Sequence, residues 1–290
     1  MARKESFVKK VIIAISVVLL LLWIFIPMYW VLKTSFARPE EAWDPWPPLR
    51  PTLQNYLNLF NPRPPVYTMG IRAALPQPVI VPIRNSFVVA VIAGSISTVL
   101  GVLAGYNLSR FSYRGKRAVN YYILFAYTFP TFILVIPLMV ILRQLGLFNT
   151  LQGLAIVHLA YTVPFTTLMM RSYFAAIPVE LEEAAMIDGC SRLGSLLRVT
   201  LPLSAPGLVT AFIFAFTLSW NDLLFALVLI NSSYLYTLPI EITFYLWGGE
   251  IVDPTGLSAV AVFAGIVPVI FYLTLQKYIV AGLVRGAVKA

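Results

Sequence analysis

The 290-residue chain is poor in the residues that build metal centres and disulfides. It has one cysteine, Cys190, which excludes an intramolecular disulfide and any multi-cysteine metal site. It has one histidine, His158, so no histidine cluster is available for a metal. We therefore expect no metal site in this chain, and we expect Cys190 to be a small filler at a turn.

Motifs for nucleotide binding and hydrolysis are also missing. The one Gly-Lys pair, Gly115-Lys116, is followed by Arg117 and lacks the earlier glycine of a phosphate-binding loop. No G-x-S-x-G, H-E-x-x-H or dinucleotide fingerprint occurs. We expect a chain that is not an enzyme by itself and binds no cofactor. If it moves a solute against a gradient, the energy comes from an ion gradient or from another protein.

Charge is scarce and apolar residues are abundant. Charged residues make up 11% of the chain and hydrophobic residues 59%, with a mean hydropathy of +0.83. Soluble proteins are about half apolar and a quarter charged, so the composition indicates an integral membrane protein in a lipid bilayer. The net charge of +9 is better explained by basic residues that hold cytoplasmic loops in place than by nucleic-acid binding.

Charge-free windows long enough for a membrane helix of about 20 residues predict an all-α protein. Six windows occur, at residues 11–32, 85–109, 118–142, 144–170, 199–240 (broken only by Asp222) and 254–276. With six spans and the N-terminus inside, the cytoplasmic side receives 14 of the 21 Lys and Arg residues. Seven spans, with a tight turn at Asp222, would place the basic tail outside, against the positive-inside tendency. We predict six spans with both termini cytoplasmic.

The chain divides into three predicted regions, 1–32, 33–83 and 84–290. The first holds the N-terminal segment and first span, although a signal peptide is an alternative. The second is an external loop with 11 of the 21 prolines, a density that disfavours long helices and central strands. The third is a core of five spans, with cytoplasmic helices at about 180–198.

The segment "IPVELEEAAMIDGCSRLGSLLRVTLP", residues 177–202, holds four of the twelve acidic residues. Pro178 can begin a helix whose first turn then carries three carboxylates, where the helix dipole favours negative charge. Asp188-Gly189 predicts a helix stop, and a second short helix is predicted from Ser191 to Arg198. On this reasoning alone, a solvated loop and a docking surface for a partner are equally acceptable.

This segment resembles the cytoplasmic signature of binding-protein-dependent ABC transporter permeases: E-A-A, three residues, G, nine residues, an aliphatic residue, any residue, L-P. The chain has Glu183-Ala184-Ala185, Gly189 and Val199-Thr200-Leu201-Pro202 at that spacing. From about Arg84 onward, "NSF", "GLFNTLQGL", "SWNDLLFALVL" and "VRGAVKA" resemble the carbohydrate-uptake branch. Within it they are similar to the shorter of two paired permeases, as in maltose- and glycerol-phosphate-type importers.

The resemblance implies a six-span ABC importer permease in the plasma (inner) membrane of a prokaryote. Its implied partners are a second homologous permease, two ATPase subunits that carry ATP and Mg²⁺, and an extracytoplasmic sugar-binding protein. Glu183 would pair with a basic side chain of the ATPase, while the small residues keep the contact close. The implied docking residues are Glu180, Glu182, Glu183, Ala184, Ala185, Asp188 and Gly189.

Other polar residues in the spans are weaker candidates. Asp222 falls in a predicted span from Ala205 to Ile230, and with Asn221 it is a candidate for the translocation path. Tyr161 and Thr162 are further candidates, although for them and His158 we expect hydrogen bonds between helices. Gly101 and Gly105 form a G-x-x-x-G that suits close helix packing.

Two alternative functions remain at this point. An ion-coupled secondary carrier would use Asp222 or His158 as an intramembrane ionisable group. A membrane scaffold or receptor component would bind a partner through the acidic segment and transport nothing.

Overall fold

The described residues are largely helical. The computed structural model describes residues 2–61, 67–68, 71–72, 78–247 and 254–287. The helices are α1 (Ala2–Ser35), α2 (Gln54–Phe60), α3 (Ile80–Arg110), α4 (Lys116–Thr128), α5 (Val135–Gln144), α6 (Leu151–Ala175), α7 (Glu180–Ile187), α8 (Arg192–Ser195), α9 (Leu201–Leu203), α10 (Ala205–Trp220), α11 (Leu224–Leu229), α12 (Leu238–Trp247) and α13 (Pro254–Ala287). A π-helical turn, Leu196–Thr200, joins α8 to α9. The strands β1 (Tyr67–Thr68) and β2 (Ile71–Arg72) pair antiparallel.

Four helical segments of the described chain are long and apolar enough to cross a membrane: Lys9–Ser35, Ile80–Arg110, Leu151–Ala175 and Pro254–Thr274. Two bent helix pairs raise the number to six if each pair is one crossing. The predicted all-α membrane fold is therefore confirmed, with six crossings on that count.

The predicted third span, 118–142, is not continuous. Lys116–Thr128 and Thr131–Gln144 meet at an angle of 91°. The break is at Phe129 and Pro130, where Phe129 is extended with φ −66° and ψ 132°. Proline disfavours helical backbone in the residue before it and supplies no amide hydrogen, so the helix stops there.

The predicted span from Ala205 to Ile230 was also wrong in its extent. Helix α10 ends at Trp220, and α11 begins only at Leu224. Asp222 therefore lies in the connection between two helices rather than inside one. Before α10, the segment Arg192–Leu203 meets α10 at 79°.

The proline-rich region contains only short elements where the structure describes it, as its proline content predicted. They are a three-residue 3₁₀ turn (Pro39–Glu41), the seven-residue α2 and the two-residue strands. Residues 33–79 of the region belong to one of two compact units, residues 1–79 with 242–265, while the other comprises residues 80–241 with 266–290.

Within the first unit, hydrogen bonds fasten the proline-rich region to the end of α1. Lys33 Nζ, in a side chain that is buried, donates to the carbonyl oxygen of Ala42 at 2.8 Å. Asn55 Nδ2 donates to the carbonyl oxygens of Ser35 at 2.9 Å and Ala37 at 2.8 Å. A loop rich in proline forms no regular backbone hydrogen-bond ladder. Side chains such as Lys33 and Asn55 therefore supply the hydrogen bonds that the buried carbonyl groups need.

In the second unit, α3 and α6 pack with their backbones in close contact. A Cβ atom on Gly101 would lie 2.5 Å from Thr166 Oγ1, and one on Gly105 would lie 2.7 Å from the Arg171 backbone nitrogen. The Ser97 and Thr162 hydroxyls lie 2.5 Å apart across the same contact. The predicted role of the G-x-x-x-G in close helix packing is confirmed.

Candidate functional site

The acidic segment forms the helix–turn–helix that its sequence predicted. Glu180, Glu182 and Glu183 lie in the first turn of α7. The helix stops before Gly189, whose φ of +89° is a conformation that glycine adopts without a side-chain clash. Ser191 Oγ then accepts from the Gly194 backbone N–H at 3.1 Å and caps α8. The predicted second helix, Ser191 to Arg198, is α-helical only in α8. The chain then continues through the π-helical turn into α9.

One carboxylate of α7 is directed inwards and fastens the helix to the end of α3. Glu182 Oε1 accepts from Arg110 Nε at 2.7 Å, and Glu182 Oε2 accepts from the Tyr106 hydroxyl at 2.7 Å. The side chains of this ion pair are 5% and 4% exposed for Arg110 and Glu182. Arg110 Nη2 also donates to the carbonyl oxygen of Ile177 at 2.9 Å, just before α7. The set Tyr106, Arg110 and Glu182 is called the α7 anchor below.

The electrostatics of the anchor keep Glu182 ionised. Burial by itself raises the pKa of this carboxyl. The hydrogen bonds from Tyr106 and Arg110, with the positive charge of Arg110, outweigh burial and hold the pKa below its usual range. At neutral pH the anchor is therefore a buried, hydrogen-bonded ion pair.

The anchor stands on a hydrophobic cluster drawn from several helices. Its buried members are Val102, Tyr106, Met170, Phe174, Leu196 and Ala211. The Tyr106 and Phe174 rings pack edge to face with centroids 5.8 Å apart. Tyr106 belongs both to the anchor and to this cluster, so the anchor is in direct contact with side chains of α6 and α10.

The opposite face of α7 is exposed and carries both acidic and apolar groups. Ile187 is 86% exposed, and Leu181 is 45% exposed. Both apolar side chains lie beside exposed carboxylates of the same helix face. The other exposed residues of this face are Glu180, Glu183, Ala184, Asp188 and Gly189, while Ala185 is half-buried.

A second polar constellation surrounds the connection after α10. His158 Nε2 lies 3.1 Å from Asp222 Oδ2, and His158 Nδ1 lies 2.6 Å from Ser219 Oγ. Asp222 Oδ2 also accepts from the Ala226 backbone N–H at 3.0 Å, so it caps α11. Asp222 thus has an opposite-charge partner when His158 is protonated, and that partner lies in α6.

Two asparagines fasten the chain beyond α11. Asn149 Oδ1 accepts from the Asn231 and Ser232 backbone N–H groups at 2.9 and 3.0 Å. Asn85 Nδ2 donates to the carbonyl oxygens of Tyr234 and Tyr236 at 2.9 and 3.0 Å. Residues 221–238 are therefore held by side chains of α3, of α6 and of the turn before α6.

Three sequence motifs that are far apart in the chain supply residues to these hydrogen bonds. "NSF" supplies Asn85, "GLFNTLQGL" supplies Asn149, and "SWNDLLFALVL" supplies Asp222. All three residues form hydrogen bonds to or within the segment 221–238, which the local sequence pattern does not predict.

Comparison with known proteins assigns the chain to a family. Residues 97–285 match the model of the family described as "Binding-protein-dependent transport system inner membrane component". The chain belongs to that family.

Relatives of this family member cover nearly its whole length. The sulfoquinovosyl glycerol transport system permease protein SmoH of Agrobacterium fabrum is 36% identical over 267 residues, or 91% of this chain and 88% of the relative. The trehalose/maltose transport system permease protein MalG of Thermococcus litoralis is 32% identical over 289 residues, or 99% of each chain.

A solved bacterial ABC transporter that imports the acidic polysaccharide alginate contains a chain of the same fold. The TM-score is 0.75 at 22% identity, with 94% of this chain and 97% of that chain covered. Together with the apolar helices, these findings establish the protein as a multi-pass membrane permease of the ABC importer type.

Within this permease, the residues predicted for docking separate into two groups. Those of the exposed α7 face remain candidates. Glu182 does not belong with them, because its carboxylate is buried against Arg110 and Tyr106. Neither Arg110 nor Tyr106 was predicted, since they lie more than 70 residues before Glu182 and carry no motif of their own.

The four residues predicted for the translocation path also differ in their surroundings. Asn221 is exposed, and its side-chain amide donates to the Thr217 carbonyl at 3.0 Å. Thr162 is fully buried, and its hydroxyl is hydrogen-bonded to Ser97 of α3, so the expected interhelical hydrogen bond of this residue is confirmed. The Tyr161 ring stacks on Phe225 with centroids 6.0 Å apart, and its hydroxyl has no hydrogen-bond partner in the described part of the chain.

Proposed function

We propose that this chain is the transmembrane permease subunit of an ATP-driven, binding-protein-dependent importer of a sugar or sugar derivative. The observation that carries this proposal is its similarity, over nearly its whole length, to permeases named for the transport of trehalose, maltose and a sulfoquinovosyl glycoside. The importer of alginate that shares its fold is another carbohydrate system.

The exposed face of α7 is the proposed contact with a cytoplasmic ATPase. Glu183 offers an exposed carboxylate there, while Ala184 and Gly189 let a second backbone approach closely. The buried side of the helix is fixed by the α7 anchor. When ATP binding closes the ATPase dimer, a force on α7 is passed through Glu182 and Arg110 to α3.

The proposed complex contains a second homologous permease, two ATPase subunits and an extracytoplasmic sugar-binding protein. A structural neighbour is an alginate transporter in complex with an alginate-bound periplasmic protein, which supports a partner of that kind. ATP and Mg²⁺ belong to the ATPase subunits in this proposal. The location is the inner membrane of a prokaryote, with α7 and both termini on the cytoplasmic side.

Reconstituted transport tests the proposal. The permease pair, the ATPase and the binding protein are placed in proteoliposomes, and ATP-dependent uptake of a panel of labelled saccharides is measured. Glu183→Lys should abolish uptake while the protein still inserts, because removing one partner of an interfacial ion pair and adding a like charge costs several kcal/mol. Glu40→Lys makes the same charge change at an exposed residue that is not part of α7 and should leave uptake unchanged.

The same assay separates the alternative functions. Uptake without the ATPase that follows a proton or sodium gradient and disappears in His158→Gln would establish an ion-coupled carrier instead. Binding of a partner through α7 with no saccharide transport under either energy source would leave the scaffold function. Normal ATP-driven uptake by Glu183→Lys would refute the assignment of Glu183.

A further inference from the structure

A pocket of about 480 Å³ lies outside both constellations described above, where α3, α4 and α6 converge. Its size is in the range of small-molecule sites, roughly 300–1,000 Å³. Arg171 comes from α6, and the remaining polar groups come from α4 and the segment before it. The lining residues are Leu108, Tyr113, Gly115, Lys116, Arg117, Asn120, Tyr121 and Arg171.

The lining of the pocket is strongly basic. Lys116, Arg117 and Arg171 contribute three cations, and the lining includes no carboxylate. The ion pairs in the described part of the chain are Arg110–Glu182 and His158–Asp222, and the pocket cations take part in neither. Three cations in one concavity repel one another, so an anion that enters between them is favoured.

Neutral groups orient two of these cations, Arg171 and Lys116. The Arg171 guanidinium donates through Nη1 to Asn120 Oδ1, which ties α6 to α4. Lys116 Nζ donates to the Phe111 carbonyl oxygen at 2.8 Å. Because both partners are neutral, the positive charges are oriented without being neutralised. A guanidinium so held suits the oxygens of a phosphate group.

The pocket is at the end of a helix pair that is apolar enough to cross the membrane. On α4, Tyr121 is 59% exposed, Tyr122 is 71% exposed and Phe125 is 59% exposed. Exposed tyrosines next to basic residues are typical of the membrane–water boundary. Basic pockets between helices at that level accept phosphate-bearing headgroups.

We propose that this pocket is a binding site for a phosphate-bearing anion, held by Arg117, Arg171 and Lys116. The phosphate belongs to the headgroup of an anionic phospholipid or to a small soluble phosphate compound, and both present the same chemistry to the pocket.

The test uses the full chain, purified without other subunits. Native mass spectrometry measures retention of phosphatidylglycerol and of phosphatidylcholine, and inorganic phosphate and glycerol 3-phosphate are added as soluble competitors. Phosphatidylglycerol should be retained in preference to phosphatidylcholine. Arg117→Gln should weaken its binding about fivefold, since a basic residue at the surface contributes about 1 kcal/mol.

Arg114→Gln is the matched control, because it removes the same charge three residues earlier at an exposed position outside the lining. It should leave binding unchanged. Arg171→Gln removes the bond to Asn120 as well as a cation, so Arg171→Lys and a thermal unfolding curve separate loss of charge from loss of fold. Loss of binding in Arg171→Gln with retention in Arg171→Lys supports the proposal.

The competitors identify the source of the phosphate. Displacement of phosphatidylglycerol by millimolar glycerol 3-phosphate or inorganic phosphate supports a soluble ligand, and resistance to both supports the lipid. Equal weakening by Arg114→Gln and Arg117→Gln would show general attraction to anionic lipid and overturn the proposal, as would binding of none of the probes. The assay contains no ATPase or sugar, so its result does not depend on the proposed import.

Discussion

Replacing Glu182 by glutamine leaves Arg110 buried without its counter-charge. The pair is at 2.7 Å with both side chains at most 5% exposed, so little solvent screening is available. Breaking a buried pair by removing one partner costs about 3–5 kcal/mol. Glutamine can still accept a hydrogen bond from Tyr106, so we expect about 3 kcal/mol, which corresponds to roughly a hundredfold change in the equilibrium between anchored and released α7.

Amide hydrogen exchange of the purified chain, followed by mass spectrometry, measures that equilibrium for the peptide covering residues 178–190. Exchange in α7 should be about a hundredfold faster in Glu182→Gln when local opening limits it. Glu183→Gln changes the adjacent residue, whose side chain is exposed, and should leave exchange unchanged.

A double-mutant cycle tests whether Arg110 and Glu182 stabilise α7 as a pair. Arg110→Gln combined with Glu182→Gln leaves no unpaired charge in the anchor. The double variant should therefore be less damaged than the sum of the single variants, with a coupling energy of about 0.5–3 kcal/mol. Wild-type exchange rates in Glu182→Gln, or strictly additive effects in the cycle, would show that the ion pair does not hold α7.

Three further predictions concern the pH dependence of the anchor, the packing of glycines in the helices and the bond of Asp222 to α11. The pKa of Glu182 is lowered in the folded chain, so its stabilising effect is complete above the unfolded value of about 4.3 and is lost as the pH falls through the lower folded value. The amide exchange rate in α7, corrected for its intrinsic pH dependence, should stay constant from about pH 7 to 5 and rise only at more acid pH. A rise already near neutral pH would contradict this prediction. Gly101→Ala should lower the free energy of unfolding by about 1–3 kcal/mol, because the new Cβ lies 2.9 Å from the Thr166 backbone carbon. At Gly265 a new Cβ meets no atom of the described part of the chain within 4 Å beyond its own helix backbone, so Gly265→Ala should raise the free energy of unfolding by about 0.5–1 kcal/mol. Equal thermal unfolding of the two variants would disprove the packing argument. Asp222→Ala should lower the free energy of unfolding by about 1–2 kcal/mol, because the cap of α11 is lost. Asp222→Asn keeps an acceptor and should lower it less. An Asp222→Asn variant with normal unfolding but altered saccharide uptake would instead indicate contact with the transported sugar.

Composition and local pattern determined the class of the protein and much of its helix layout. Long charge-free windows require helices in a bilayer, since only internal hydrogen bonding satisfies a backbone in lipid. Gly189 marked the end of α7 because few other residues adopt its backbone conformation. Pro130 was a visible signal for the break between α4 and α5, although the charge-free window passed over it.

Tertiary structure alone decided which polar groups act together. Glu182 and Glu183 are adjacent in the same acidic turn, yet Glu182 is buried because Arg110 and Tyr106 lie beneath it, 72 and 76 residues earlier. His158 and Asp222 meet across 64 residues. The periodicity of a helix sets which face a side chain is on, but only the packing of other helices decides what that face meets. The buried ion pair, the fastened segment 221–238 and the basic pocket therefore emerged only with the fold.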